Sequence, residues 1–194
     1  MKKRKGSWLL AGGVALIALC LVFVAVFYLR LYTGEKHCAE VTAKLEAVLP
    51  PRTPGMPGAY PNTSMPVLEI DGENYTALVE IPAFGLTLPV ADEWDEGTLT
   101  RSPARFCGSV YNGTLVVGGV DTQSQFAFCG QIDNGAAITV TDMTGAQFAY
   151  KVDRVDRSDR AELEWLQADS DLTLFCRELY GTGYIAVRCV AAYG

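Results

Sequence analysis

Val79-Glu80-Ile81-Pro82-Ala83-Phe84-Gly85-Leu86-Thr87-Leu88-Pro89-Val90 is the stretch on which the reading of this 194-residue chain turns. An apolar run reaches Ile81, Pro82 ends it, Gly85 marks a turn, and a second short run closes at Val90. Runs of this length bounded by Pro and Gly predict strands over residues 75–81 and 86–90. The same punctuation by Gly, Asp, Asn and Pro recurs downstream and predicts further strands at 114–118, 137–141, 147–155, 172–176 and 184–190. Only 160–167, with Leu163 and Leu166 at helical spacing, reads as a helix among them. The C-terminal part is therefore expected to be mainly β, a sandwich or a closed barrel, and the strand pattern fits either.

Upstream the character changes. From Trp8 to Leu29 the chain is apolar and uncharged, long enough at about 1.5 Å per residue to cross the roughly 30 Å hydrocarbon core of a bilayer. Lys2, Lys3, Arg4 and Lys5 precede it, and the rest of the chain carries the excess of acid behind a net charge of −6. That asymmetry predicts a single-pass anchor with its N-terminus in the cytoplasm and its bulk outside. Residues 1–7 are then a basic tail and 8–29 the transmembrane helix. Residues 30–66 are a juxtamembrane segment, helical over 35–49, followed by a Pro/Gly-rich stalk. Residues 67–194 are the β domain. Acidic balance without a basic patch argues against nucleic acid as a partner.

Five cysteines follow the span: Cys38, Cys107, Cys129, Cys176 and Cys189. Their spacing matches no zinc pattern, and His37 is the one histidine, so neither a metal nor another cofactor is expected. Outside the cytoplasm pairs of these cysteines can persist as disulfides, Cys107 with Cys129 among the candidates. The acidic run Asp92, Glu93, Asp95 and Glu96 lacks the ligand order of a calcium loop and reads as a solvated turn. Asn112-Gly113-Thr114 matches a glycosylation acceptor, a triplet common by chance.

In order and spacing, several stretches resemble sortases, in particular class B-like forms of clostridial type. They are Ile70-Asp71-Gly72-Glu73-Asn74-Tyr75 with the 79–90 stretch, Gly108-Ser109-Val110-Tyr111, and the strand Leu115-Val116-Val117-Gly118-Gly119 with Asp121 and Phe126 after it. Thr141-Asp142-Met143-Thr144-Gly145, Leu172-Thr173-Leu174-Phe175 and Ala186-Val187-Arg188-Cys189 complete the series. The resemblance implies an eight-stranded β-barrel with short helices on the outer face of a Gram-positive membrane. It also implies transfer of a sorting signal through a cysteine thioester to an amine of the cell wall or of a pilin.

Such transfer needs a thiolate nucleophile, an imidazole to protonate the departing amine, and a guanidinium near the oxyanion. By resemblance, the histidine's place falls on Gly119, the cysteine's on Arg177 and the arginine's on Tyr184. Cys176 stands one residue before the nucleophile's place, and Arg188 four residues after the arginine's. In a strand a step of one turns a side chain to the other face, so Cys176 serves as an alternative nucleophile only if a bulge corrects it. The expectation is a pseudoenzyme that keeps the barrel and binds a sorting-signal peptide, a pilin subunit or an active sortase. An active transpeptidase working through Cys176, with Arg188 in an altered role, is the alternative.

Overall fold

The computed structural model describes residues 3–60, 63–179 and 181–192. One helix, α1 (Lys3–Val48), opens the chain, so the expected juxtamembrane helix is continuous with the apolar segment before it. From Gly12 to Val26 the side chains of α1 are exposed without interruption. That is about 22 Å of helix at ~1.5 Å per residue. Among the described residues no helix is long and apolar enough to cross a membrane.

The strands that follow are β1 (Thr53–Pro54), β2 (Leu68–Ile70), β3 (Glu73–Ile81), β4 (Leu86–Ala91), β5 (Ala104–Cys107) and β6 (Leu115–Val120). Then come β7 (Ala137–Asp142), β8 (Ala146–Ser158), β9 (Leu172–Arg177) and β10 (Tyr184–Ala191). Between them lie two one-turn helices, α2 (Glu96–Leu99) and α3 (Leu163–Leu166), and 3-10 turns at Pro82–Phe84 and Ala127–Gly130. The helix expected over 160–167 is thus only its last turn. All seven expected strands are present; β1, β2 and β5 are additional. Arg105 hides β5 in the sequence, because its charge breaks the apolar run and is neutralised across space by Asp92 at 2.6 Å.

Strand pairing closes the sheet. The order β3-β4-β5-β6-β9-β10-β8-β7 returns to β3, a ring of eight strands, with β1 and β2 added at its margins. Closure leaves no long unpaired edge, which distinguishes this solution from a sandwich. Val79, Ile81, Leu88, Val90, Leu115, Val117, Phe126, Leu174 and Val187 fill the interior.

The segment expected as a free stalk is fastened to the barrel. Thr53 and Pro54 pair in parallel with Ala146 and Gln147, Gly58 N–H donates to Val110 O, and Tyr60 N–H donates to Tyr111 O. Met65 is buried in the interior core. Pro-rich backbone is well suited to such a course, since it stays extended and gives up few donors. The last turns of α1 also pack down, with Val41 and Leu45 buried against Tyr75, Leu78, Ala91 and Ala104 on the barrel's outer face. His37, the one histidine of the chain, sits in that joint. Its Nε2 lies 3.3 Å from Tyr75 Oη and 3.4 Å from Glu73, whose other oxygen meets Arg101 at 2.5 Å.

Candidate functional site

Strands β6, β9 and β10 lie side by side, and their register decides which residues can act together. β6 and β9 run parallel, with Gly119 opposite Cys176 and Val120 opposite Arg177. β9 and β10 are antiparallel, with Ile185 opposite Cys176 and Tyr184 opposite Arg177. Neighbouring rows face opposite sides of a pleated sheet. Leu115, Val117, Leu172, Leu174, Cys176 and Ile185 belong to the interior core. Val116, Phe175, Ala186 and Tyr184 belong to a cluster on the outside. The row Gly119, Cys176, Ile185 therefore faces inward, and the row Val120, Arg177, Tyr184 faces outward across roughly 10 Å, two strand spacings.

Two of the three expected positions are thus brought together and one is corrected. Arg177 and Tyr184 share the outward row, but Gly119 does not. A Cβ at Gly119 would lie 2.8 Å from the Phe126 ring, inside the core. The residue that completes the row is Val120. Parity could have found it: if Leu115 and Val117 face the core, so does Gly119, and the next outward residue is Val120.

Cys176 faces inward, as a step of one along the strand predicts where no bulge intervenes. It is 1 % exposed, and its Sγ donates to Phe126 O at 3.7 Å, in the interior. β9 carries no bulge between Leu172 and Arg177, so nothing turns the thiol outward. Arg188 is not a displaced oxyanion binder either. It is fully buried, donating to Leu166 O (2.7 Å), Thr173 Oγ1 (3.1 Å), Asp156 (3.1 Å) and Trp165 O, with its guanidinium 4.9 Å from the Trp165 ring centroid. Burial pulls its pKa down while Asp156 holds it up. Its work is to tie α3 to the barrel wall.

Beside the outward row, Trp94 covers the sheet. Its ring stacks on Phe175 (centroids 5.6 Å apart, 24° between planes) and meets Phe106 edge-on at 4.9 Å. It lies so close over Gly118 that a Cβ there would fall 2.3 Å from the indole. Only glycine admits this approach. The acidic loop around Trp94 is occupied internally: Asp92 binds Arg105, and Asp95 caps α2 by accepting from Thr98 N–H, which with the Thr98 hydroxyl holds its pKa low.

On the other side of the row an open depression of about 280 Å³ is lined by Arg157, Ser158, Glu178, Thr182 and Tyr184, among others. Arg157 and Glu178 form a 3.6 Å ion pair at its rim. The loop from β9 to β10 is held over this end, because Leu179 N–H donates to Asp121 at 3.0 Å. The outer face thus offers aromatic surface, the exposed Arg177, and a polar depression rimmed by Arg157, and its central row has neither thiol nor imidazole.

Other expectations resolve locally. Asn112 Oδ1 accepts from the N–H of Ser109 and Thr114 and from the Thr114 hydroxyl, so the triplet makes a turn. Cys107 lies with the outer cluster and Cys129 in the interior core, on opposite faces of the wall, so the two do not pair. Among the described residues, no group of three or more His, Cys, Asp or Glu is placed to hold a metal.

No family model and no curated protein matches the chain. Solved structures do. Sortase C1 of Streptococcus agalactiae superposes with a TM-score of 0.56 at 22% identity, over 66% of this chain and 72% of that one. A sortase A lid mutant of Corynebacterium diphtheriae gives 0.55 at 18% identity, over 88% of this chain and 95% of that one. A sortase D transpeptidase of Clostridium perfringens gives 0.53 at 16% identity, over 61% and 79%. Identity at this level speaks to fold alone, and on that point ring order, helix placement and superposition agree: the eight-stranded barrel of this chain is a sortase fold.

Proposed function

We propose that the chain is a membrane-anchored, extracytoplasmic, class B-like sortase homologue without transpeptidase activity, which binds a sorting-signal peptide, a pilin subunit or a partner sortase on its outer face. The observation that carries this reading is the row Val120, Arg177, Tyr184. Acyl transfer by the family's chemistry would require a thiol, an imidazole and a guanidinium to meet on that face. Here the three outward side chains are an aliphatic, a guanidinium in the nucleophile's place, and a phenol. Loss of a general acid-base group alone costs about 10²- to 10⁴-fold in rate, and loss of the nucleophile removes the thioester route. The exposed Arg177, the aromatic patch of Trp94 and the depression beside Tyr184 leave a surface suited to an extended peptide with apolar and acidic groups. The apolar stretch 8–29 behind a basic N-terminus supports the anchor and its orientation.

The alternative, transpeptidation through Cys176, requires that thiol to leave the core. One experiment separates the two. The full-length chain in detergent micelles is incubated with fluorescent sorting-signal peptides, binding is followed by anisotropy, and intact mass is then recorded. Saturable binding without a mass increase, weakened by Arg177→Glu, is the expected result. A thioester adduct that vanishes in Cys176→Ala overturns the proposal in favour of the alternative, and absence of binding overturns the peptide-holding role.

A further inference from the structure

Six cysteines are present, and no disulfide joins them in the structure. Two of them are nevertheless held against each other. Cys129 comes from the 3-10 turn Ala127–Gly130 and Cys176 from the end of β9, elements far apart in sequence that meet inside the barrel. Phe126 O accepts from Cys129 N–H at 3.0 Å and from the Cys176 thiol, whose Sγ is 3.7 Å away. The two residues share one backbone acceptor, which sets the turn that carries Cys129 against the end of β9 that carries Cys176. Cys107 is outside this set because it lies on the outer face. Cys189 is buried in the same core, but its thiol turns to the carbonyl of Val187 at 3.9 Å.

We propose that Cys129 and Cys176 are a disulfide-forming pair that, once oxidised, staples the 3-10 turn under the outward row to strand β9. Burial and the neighbouring Cys176 push the Cys129 thiol well up, so this sulfur stays protonated in the closed barrel and is not a ready nucleophile there. Oxidation therefore accompanies folding or local opening of the turn. It proceeds by exchange with a disulfide oxidant: one thiol, deprotonated, attacks the oxidant to form a mixed disulfide and expels a thiol. The second, deprotonated in turn, attacks the mixed disulfide, forms the Cys129–Cys176 bond and expels a second thiol. Two electrons and two protons pass to the oxidant. The cross-link ties Phe126, the residue beneath Gly119, to the strand that bears Arg177, and leaves the outward surface unaltered.

The full-length chain in detergent micelles is exposed to oxidised glutathione in two ways, as folded protein and during refolding from denaturant. Free thiols are then alkylated in denaturant, and peptides are mapped by mass spectrometry. Loss of two of the six thiols, with a peptide linking residues 129 and 176 as the main product in at least one arm, is the expected result. The same product persists in Cys189→Ser and is lost in Cys129→Ser. Six alkylatable thiols in both arms, or any other pair as the main product, overturns the proposal. The wild-type map decides the matter even where a variant fails to fold.

Discussion

Whether residue 119 or residue 120 completes the outward row is a matter of one step along β6, and that step reverses every consequence. Histidine at Gly119 would drive a ring into Phe126, 2.8 Å from where its Cβ would sit. Overpacking of this kind costs about 1–3 kcal/mol. Gly119→His is therefore expected to lower the unfolding free energy in urea titration by that measure, whereas Val120→His, half-buried on the outer face, leaves it within about 0.5 kcal/mol of the parent. The same parity predicts which set of changes rebuilds a reactive site. Val120→His, Arg177→Cys and Tyr184→Arg together place thiol, imidazole and guanidinium on adjacent strands, and intact mass spectrometry after incubation with sorting-signal peptides should show a thioester. Replacing Val120→His by Gly119→His in that triple variant abolishes it. Arg188 gives the opposite signature. Arg188→Ala takes from Leu166 O its buried side-chain donor, while Asp156 keeps Arg154 at 3.3 Å and Trp165 O keeps Ala168 N–H, so it costs about 1–3 kcal/mol in denaturant unfolding, and anisotropy reports unchanged peptide binding among the molecules that remain folded.

At the scale of elements, Gly118 and Trp94 form a matched pair: the loop after β4 reaches the sheet only because β6 offers a bare backbone there. Gly118→Ala puts a methyl where the indole lies, and the loop has to lift. The expected readout is a red-shifted Trp94 emission, isolated by replacing the other tryptophans with phenylalanine, and a looser contact with Phe175 and Phe106. The strands themselves were legible in the sequence because each keeps an apolar run between turn residues, from Glu73–Ile81 to Tyr184–Ala191. β5 was not, since Arg105 finds its counter-charge on another segment, and no local pattern announces a cross-strand ion pair. That Arg177 and Tyr184 face each other was legible because they lie on neighbouring strands aligned without a gap. The inward facing of Gly119 was not legible, because a Gly-Gly pair carries no side chain to mark its face. What the sequence could not disclose at all was contact between elements: His37 with Glu73, Trp94 over Gly118, or Cys129 against Cys176.

At the scale of the molecule, the β domain does not begin where the composition changes. A boundary at residue 67 separates the barrel from a Pro/Gly-rich segment that is in fact paired with β8 through Thr53 and Pro54, and from α1, whose Cys38, Val41 and Leu45 are buried. Burial also pushes the Cys38 thiol up to about 12, so this cysteine packs as an apolar side chain. Each large apolar side chain removed from water contributes about 1.5–3 kcal/mol. Discarding Val41, Leu45 and Met65 together thus forfeits several kcal/mol, a large share of the ~5–15 kcal/mol that separates a folded domain from its unfolded chain. It also bares Tyr75, Leu78 and Ala91, the face on which α1 rests. Two soluble versions, beginning at residues 34 and 67, make the comparison. The longer one is expected to unfold cooperatively in urea at a clearly higher midpoint, and the shorter to unfold earlier or self-associate in size-exclusion chromatography through its bared face. Equal midpoints would mean that α1 only tethers the barrel. A large difference would mean that the last turns of α1 are built into the domain, which then stands directly on that helix with little freedom to swing away from it.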